Sequence, residues 1–274
     1  MTIPLHETCT TYSGETLAHV LVPFGGLGTG TVSLAGDGRL AEFQIRHRPD
    51  QDSIPGLSCL ALRSRWPDGQ DARLLEGPVR PPFHRHALRA GGSYHPGLGL
   101  GTAGLFGLPR CRQVSCRLGY PFLRVDLADP DCPVEISLEA WNPLVPLDST
   151  ASSQPVLALR VHLHNPRAYA VTLDLAASLR NPFHLAAAGM PQQRLRQSDQ
   201  LSLLELTDPG LEDGDPAQGA IGWATSHPRI SARPTWPALP WMASETRFWE
   251  QFTRTGTWAA DGLPGDPYKP VGSL

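Results

Sequence analysis

The sequence predicts an all-β fold: an antiparallel β-sandwich with long loops and one short C-terminal helix. Three observations carry this. Four stretches alternate apolar and polar residues with a period of two, the mark of half-buried antiparallel strands. Pro- and Asn-rich turns separate those stretches. The 274 residues include 27 Gly and 28 Pro, a composition of many strands and many turns.

Along the chain, the first readable element is "VPFGGLGTGTVSLAGDGRLAEFQI". Gly25, Gly26, Gly28 and Gly30 fall within six residues. No lysine follows them, so a phosphate-binding P-loop is excluded. A dinucleotide fingerprint needs a strand before it and a helix after it, because the helix N-terminus binds the pyrophosphate. Here a strand follows, then a "GDG" turn, then a strand in which Ala41, Phe43 and Ile45 alternate with Glu42 and Gln44. The setting is a hairpin. Its glycines answer a backbone that turns with positive φ or approaches another chain closely. Facing a ligand or a second domain is the further reading.

Gly77 to Pro109 reads as a long loop. "FLRVDL" (Phe122 to Leu127) and "VEISLEAW" (Val134 to Trp141) are strands joined through "DPDCP". "VLALRVHLH" (Val156 to His164) and "VTLDLAASL" (Val171 to Leu179) are strands joined through "HNPRAY". Pro209 to Gly219 is a second long loop. In "SETRFWEQFTRTG", Ser244 reads as a helix N-cap with Glu245 in the first turn. Phe248, Trp249 and Phe252 form an apolar stripe, and Gly256 closes the C-terminus.

Composition narrows the function classes. Net charge is −3, and only Lys269 among the 23 basic residues is a lysine. The arginines are scattered, so no nucleic-acid footprint is expected. No stretch nears the ~20 apolar residues of a membrane span, and the first 25 residues lack the Lys or Arg of a secretory signal. Cys9, Cys59, Cys111, Cys116 and Cys132 are an odd set without a C-x-x-C pair. Scattered reduced thiols in a cytoplasmic protein is the expectation.

Few residues qualify for chemistry. Glu135 and Glu139 share a strand face, but four strand residues separate them by ~13 Å. That exceeds both glycosidase spacings, ~5–5.5 Å for retention and ~6.5–9.5 Å for inversion. They read as a solvated sheet face, and a cross-strand pair such as Glu139 with Asp174 stays open. His162 with His164, and His84 with His86, have a spacing that suits zinc, but no third ligand is signalled and no metal site is expected. Trp223, Trp236, Trp241 and Trp249 suit either core packing or a sugar platform.

The segment "VPFGGLGTGTVSLAGDGRLAEFQIRHRP" resembles the start of the N-terminal domain of glycoside hydrolase family 116, the bile-acid β-glucosidase or non-lysosomal glucosylceramidase family. Three further segments match that domain in order: "GLPRCRQVSCRLGYPFLRVDL", "CPVEISLEAWNPLVPLDSTASSQPVLALRVHLHNP" and "FWEQFTRTG". His47 departs from the pattern, which carries Asn there. The resemblance implies that residues 1–274 form one β-sandwich, the N-terminal domain alone. The family's (α/α)6 barrel, with its nucleophile Glu and acid/base Asp, and a last sandwich strand would lie beyond it. So no catalytic residue is carried over, and the chain by itself is expected to be inactive and to need no cofactor. Its expected partner is the helical barrel of the same enzyme. Gly25, Gly26, Gly28 and Gly30, with Arg46 and Arg48, are the candidates for the interdomain or substrate-entrance surface. The rival reading is a free-standing carbohydrate-binding sandwich module.

Overall fold

The structure, a computed structural model, describes residues 9–45, 58–79, 107–185, 192–210, 214–215, 218–239, 243–258, 263–265 and 271–274. Fifteen strands lie among them. They are β1 (Thr10–Ser13), β2 (Leu21–Phe24), β3 (Thr31–Ala35), β4 (Leu40–Gln44), β5 (Cys59–Trp66), β6 (Gly69–Leu74), β7 (Gln113–Gly119) and β8 (Phe122–Ala128). Then follow β9 (Glu135–Trp141), β10 (Ala158–His164), β11 (Thr172–Arg180), β12 (Gln192–Gln197), β13 (Ser202–Thr207), β14 (Ala220–Thr225) and β15 (Val271–Ser273).

Every pairing of these strands is antiparallel. A five-stranded sheet has the order β1-β7-β8-β9-β10, and a four-stranded sheet the order β15-β11-β5-β6. Two three-stranded sheets, β12-β13-β14 and β2-β3-β4, complete the fold. All four sheets contribute to one core. Leu123, Val125, Ile136 and Leu138 come from the first, Leu60, Leu62 and Leu179 from the second, Leu204 and Leu206 from the third, and Val22, Phe24 and Leu34 from the fourth. Burying a side chain of this size stabilises by about 1.5–3 kcal/mol, so the alternation in β8 and β9 dictates which face points inward.

The four-stranded sheet is buried on its other face too. Cys59, Ala61 and Ala176 pack there against Trp236, Phe248 and Phe252, making a second, smaller core under the helix Ala243–Thr255. The predicted stripe is therefore the packing face. Phe248 stacks on Trp236 at 4.4 Å and on Trp258 at 5.0 Å between ring centroids. Gly256 adopts φ +69° and donates its N–H to the Phe252 carbonyl, the left-handed helix end its sequence position suggests. The expected N-cap is corrected. The helix starts at Ala243, so Ser244 lies inside its first turn, where its hydroxyl donates to the Pro237 carbonyl.

Candidate functional site: the glycine loop and its neighbours

The predicted strand–turn–strand context of the glycines is present. β2 and β3 pair from Leu21↔Ala35 to Phe24↔Val32, and the loop spans the residues between. Each glycine has its own steric reason. A Cβ on Gly25 would stand 2.1 Å from the Gly30 carbonyl oxygen, so the two ends of the loop touch backbone to backbone. A Cβ on Gly26 would stand 2.5 Å from the carbonyl carbon and oxygen of Ser153. Gly28 and Gly30 adopt φ +76° and +84°, a region that side chains disfavour.

The loop is fastened to the segment between β9 and β10. Leu27 donates its N–H to Ser152 O at 2.9 Å, and the amide of buried Asn142 donates to Gly25 O at 3.0 Å. Thr29 closes the tip with its N–H and hydroxyl both on Gly26 O. The receiving segment is equally tied. Asp148 caps the one-turn helix Ser149–Ser152 by accepting from Ala151 N–H. The buried Ser152 hydroxyl donates to Val145 O and accepts from Val145 N–H. Between these anchors Leu147 takes φ +67° and projects into solvent, fully exposed. Leu27 (56% exposed), Val145 and Val156, on the same two loops, are exposed as well. Two cross-bonded loops thus carry an apolar lip that was not visible in the sequence. A second strained residue borders the loop's exit. Glu42 is a bulge in β4 with φ +46°, between Ala41 opposite Ser33 and Phe43 opposite Val32. Arg46, His47 and Arg48, like His84, His86 and Trp241, lie outside the described residues.

The outer face of the five-stranded sheet is the other polar concentration. β8, β9 and β10 bring Arg124, Glu139 and Arg160 into one cross-strand row. Glu139 corrects the expectation of a solvated residue. It is 5% exposed, accepts from Arg124 at 3.1 Å, and meets His162 Nε2 at 2.8 Å. Burial by itself raises its carboxyl pKa. The His162 hydrogen bond and the Arg124 charge outweigh burial and hold it below the usual carboxylate value. Glu135 is exposed and meets His164 Nδ1 at 3.1 Å. Asp174 is on the opposite outer face of the sandwich, bound to Arg63, so the Glu139–Asp174 pair does not form. The outer-face histidines are carboxylate partners. Among the described residues, no group of three or more His, Cys, Asp or Glu is placed to hold a metal.

The described tryptophans are engaged. Trp236 is in the second core, with Trp249 and Trp258 packed against it, and Trp223 packs on the main core. The Arg160 guanidinium lies 5.1 Å over the Trp141 ring. Among the described residues, no helix is long and apolar enough to cross a membrane.

Comparison with known proteins bears on this arrangement. Residues 22–273 match the family described as beta-glucosidase 2, glycosyl-hydrolase family 116 N-term. A search of curated proteins gives no match. The matched span begins in β2, just before the glycine loop, and ends in β15, so it takes in the loop, the helix and every described strand from β2 to β15, leaving out β1. The chain belongs to the glycosyl-hydrolase family 116 N-terminal domain family.

Proposed function

We propose that this chain is the non-catalytic N-terminal domain of a β-glucosidase-type glycoside hydrolase, and that it packs on the catalytic barrel and shapes access to it. The apolar lip carries the reading. Leu27, Val145, Leu147 and Val156 are exposed on two loops cross-linked by the Leu27-to-Ser152 backbone hydrogen bond and by the Asn142 amide on Gly25 O. A left-handed leucine in full solvent is strained and unrewarded unless another surface covers it. The glycines allow the loop to lie flat enough for such a surface to close on it. Arg46 and Arg48, which follow β4 in the sequence, are read with the glycine loop as the interdomain or substrate-entrance surface.

The carboxylates favour a structural role. A general acid in glycoside hydrolysis needs a raised pKa, whereas Glu139 is held ionised by its cationic neighbours. The packed tryptophans favour a scaffold over a sugar platform. Five unbridged cysteines, four of them buried, suit the cytoplasm. The parent activity is read as carbohydrate metabolism of the β-glucosidase or glucosylceramidase type.

The test is a fluorogenic aryl β-glucoside incubated with the chain alone and with a family 116 catalytic domain added. Background alone and turnover with the added domain are expected. Turnover by the isolated chain that Glu139→Gln abolishes would overturn the reading.

A further inference from the structure

The outer face of the five-stranded sheet holds an open depression of about 930 Å³. It lies at the end of β9 and β10 away from the lip. The lip segment joins Trp141 to Ala158, whereas the depression lies toward the other end, where Glu135 pairs with His164. Its floor is one cross-strand row, Ser115–Asp126–Ser137–His162, running across β7, β8, β9 and β10. Neighbours in such a row stand about 4.8 Å apart. Val114, Cys116, Ile136 and Leu138 fill the core, so by alternation Ser115 and Ser137 face outward.

Ser137 is the key residue. It is 5% exposed, sits between Asp126 and His162, and lines the depression. Among the described residues its hydroxyl has no hydrogen-bond partner, and neither has that of Ser115. A hydroxyl buried so deeply is costly to leave unmet. His162 meets Glu139 through Nε2, which leaves Nδ1 for another group. The charges around the row are matched. Asp126 accepts from Arg124 at 2.8 Å and from Arg117 at 3.2 Å, Glu139 accepts from Arg124 at 3.1 Å, and Glu135 meets His164 at 3.1 Å. At the rim Arg167 donates its Nε to the Pro133 carbonyl. Neither a cation nor an anion therefore finds a strong excess of opposite charge.

We propose that this depression binds a neutral ring polyol, a sugar or a cyclitol, on the Ser115–Asp126–Ser137–His162 row. The hydrogen-bond inventory carries the assignment. Unmet hydroxyls, a ring nitrogen and carboxylate oxygens with lone pairs to spare call for a ligand that both donates and accepts, as a hydroxyl does. Their repetition along the row calls for several hydroxyls on one rigid frame. A phosphate would face the carboxylates of Asp126 and Glu135. A metal ion lacks ligands, since no three ligating groups converge among the described residues. Pro133 and Pro166 close one end with apolar surface for the C–H bonds of the ring. No tryptophan face is used, and that of Trp141 is covered by Arg160. The proposal goes beyond the docking reading and does not rest on it.

The experiment follows backbone amide NMR shifts of the chain titrated with methyl α-D-glucopyranoside, methyl α-D-galactopyranoside and myo-inositol, with inorganic phosphate as the anionic control. At least one ring polyol should give saturable shifts at Ser115, Ser137 and His162 with a Kd of about 1 mM. Shifts with a pyranoside alone assign the ligand as a sugar, and shifts with myo-inositol alone as a cyclitol. Ser137→Ala removes a hydroxyl from the floor and should weaken binding about tenfold with its denaturant midpoint unchanged. Ser115→Ala, at a half-buried position of β7, should weaken binding as well. No saturable shift with any of the three polyols, undiminished binding in both variants, or larger shifts with phosphate at the same amides overturns the proposal. The row lies away from the lip, so a Leu27→Asp/Leu147→Asp chain should bind the polyol as wild type does, whatever becomes of domain docking.

Discussion

Gly26 lies against the backbone of Ser153, so close that a single added methyl group would stand 2.5 Å from the Ser153 carbonyl. This contact and the Leu27-to-Ser152 hydrogen bond make one rigid unit of two loops that are far apart in sequence. Gly26→Ala should therefore force the loops apart and destabilise the domain by about 1–3 kcal/mol. Gly28→Ala meets open space but keeps a positive φ, and should cost about 1–2 kcal/mol without moving the loops. Urea unfolding gives the energies. Exchange at the Leu27 amide separates the two, rising sharply only for Gly26→Ala.

Arg63, fully buried on β5, joins strand to helix. Its Nε donates to Thr253 O, its Nη2 to Arg254 O, and its Nη1 to Asp174 at 2.7 Å. A cation at the helix C-terminus answers both the open carbonyls and the dipole. Arg63→Met keeps much of the volume but leaves those acceptors unmet. It should destabilise by about 3 kcal/mol and speed exchange throughout Ala243–Thr255 before the strands. Equal loss of protection in β8 and β9 would contradict a local role.

Asp129 ties β6 to the turn after β8. It accepts from Arg73, from the side chain and N–H of Arg112, and from the N–H of Asp131. Burial opposes ionisation, but these donors outweigh it and hold the carboxyl well below the usual carboxylate range. Its folded pKa is depressed, so its contribution is complete above the unfolded value near ~4 and is lost as pH falls toward the folded one. Asp129→Asn should thus cost about 3 kcal/mol at neutral pH, and the difference from wild type should shrink steadily below about pH 4. Denaturant midpoints from pH 7 down to pH 2 measure this. A difference independent of pH would show that the ion pairs contribute little.

How much was legible in the sequence follows from burial and sequence distance. β8, β10 and β11 are half-buried, and β9, though buried on both faces, still alternates Glu135, Ser137 and Glu139 with Ile136, Leu138 and Ala140, so the alternation was visible and the positions of all four agree with it. β5 was not foreseen, because residues 59–64 are buried on both faces and show no period of two. The hairpin setting of the glycines was legible from the strands around them, but the lip was not. Its partners, Leu27 and the Val145–Val156 segment, meet only through tertiary contacts. The Glu139 row was hidden for a similar reason. A connection from Asn142 to Leu157 separates β9 from β10, and no short turn fixes their register. Ser244 shows a limit of local signals: it is a good N-cap type, but the helix begins one residue earlier.

The central claim is that the lip docks on a catalytic domain. The most direct measurement is the affinity of a family 116 catalytic domain for the wild-type chain and for a Leu27→Asp/Leu147→Asp variant, by calorimetry. Both side chains are exposed, so the variant should fold with stability within about 0.5 kcal/mol of wild type. The account predicts at least a hundredfold loss of affinity with unchanged unfolding. Equal affinity of the two chains would contradict it.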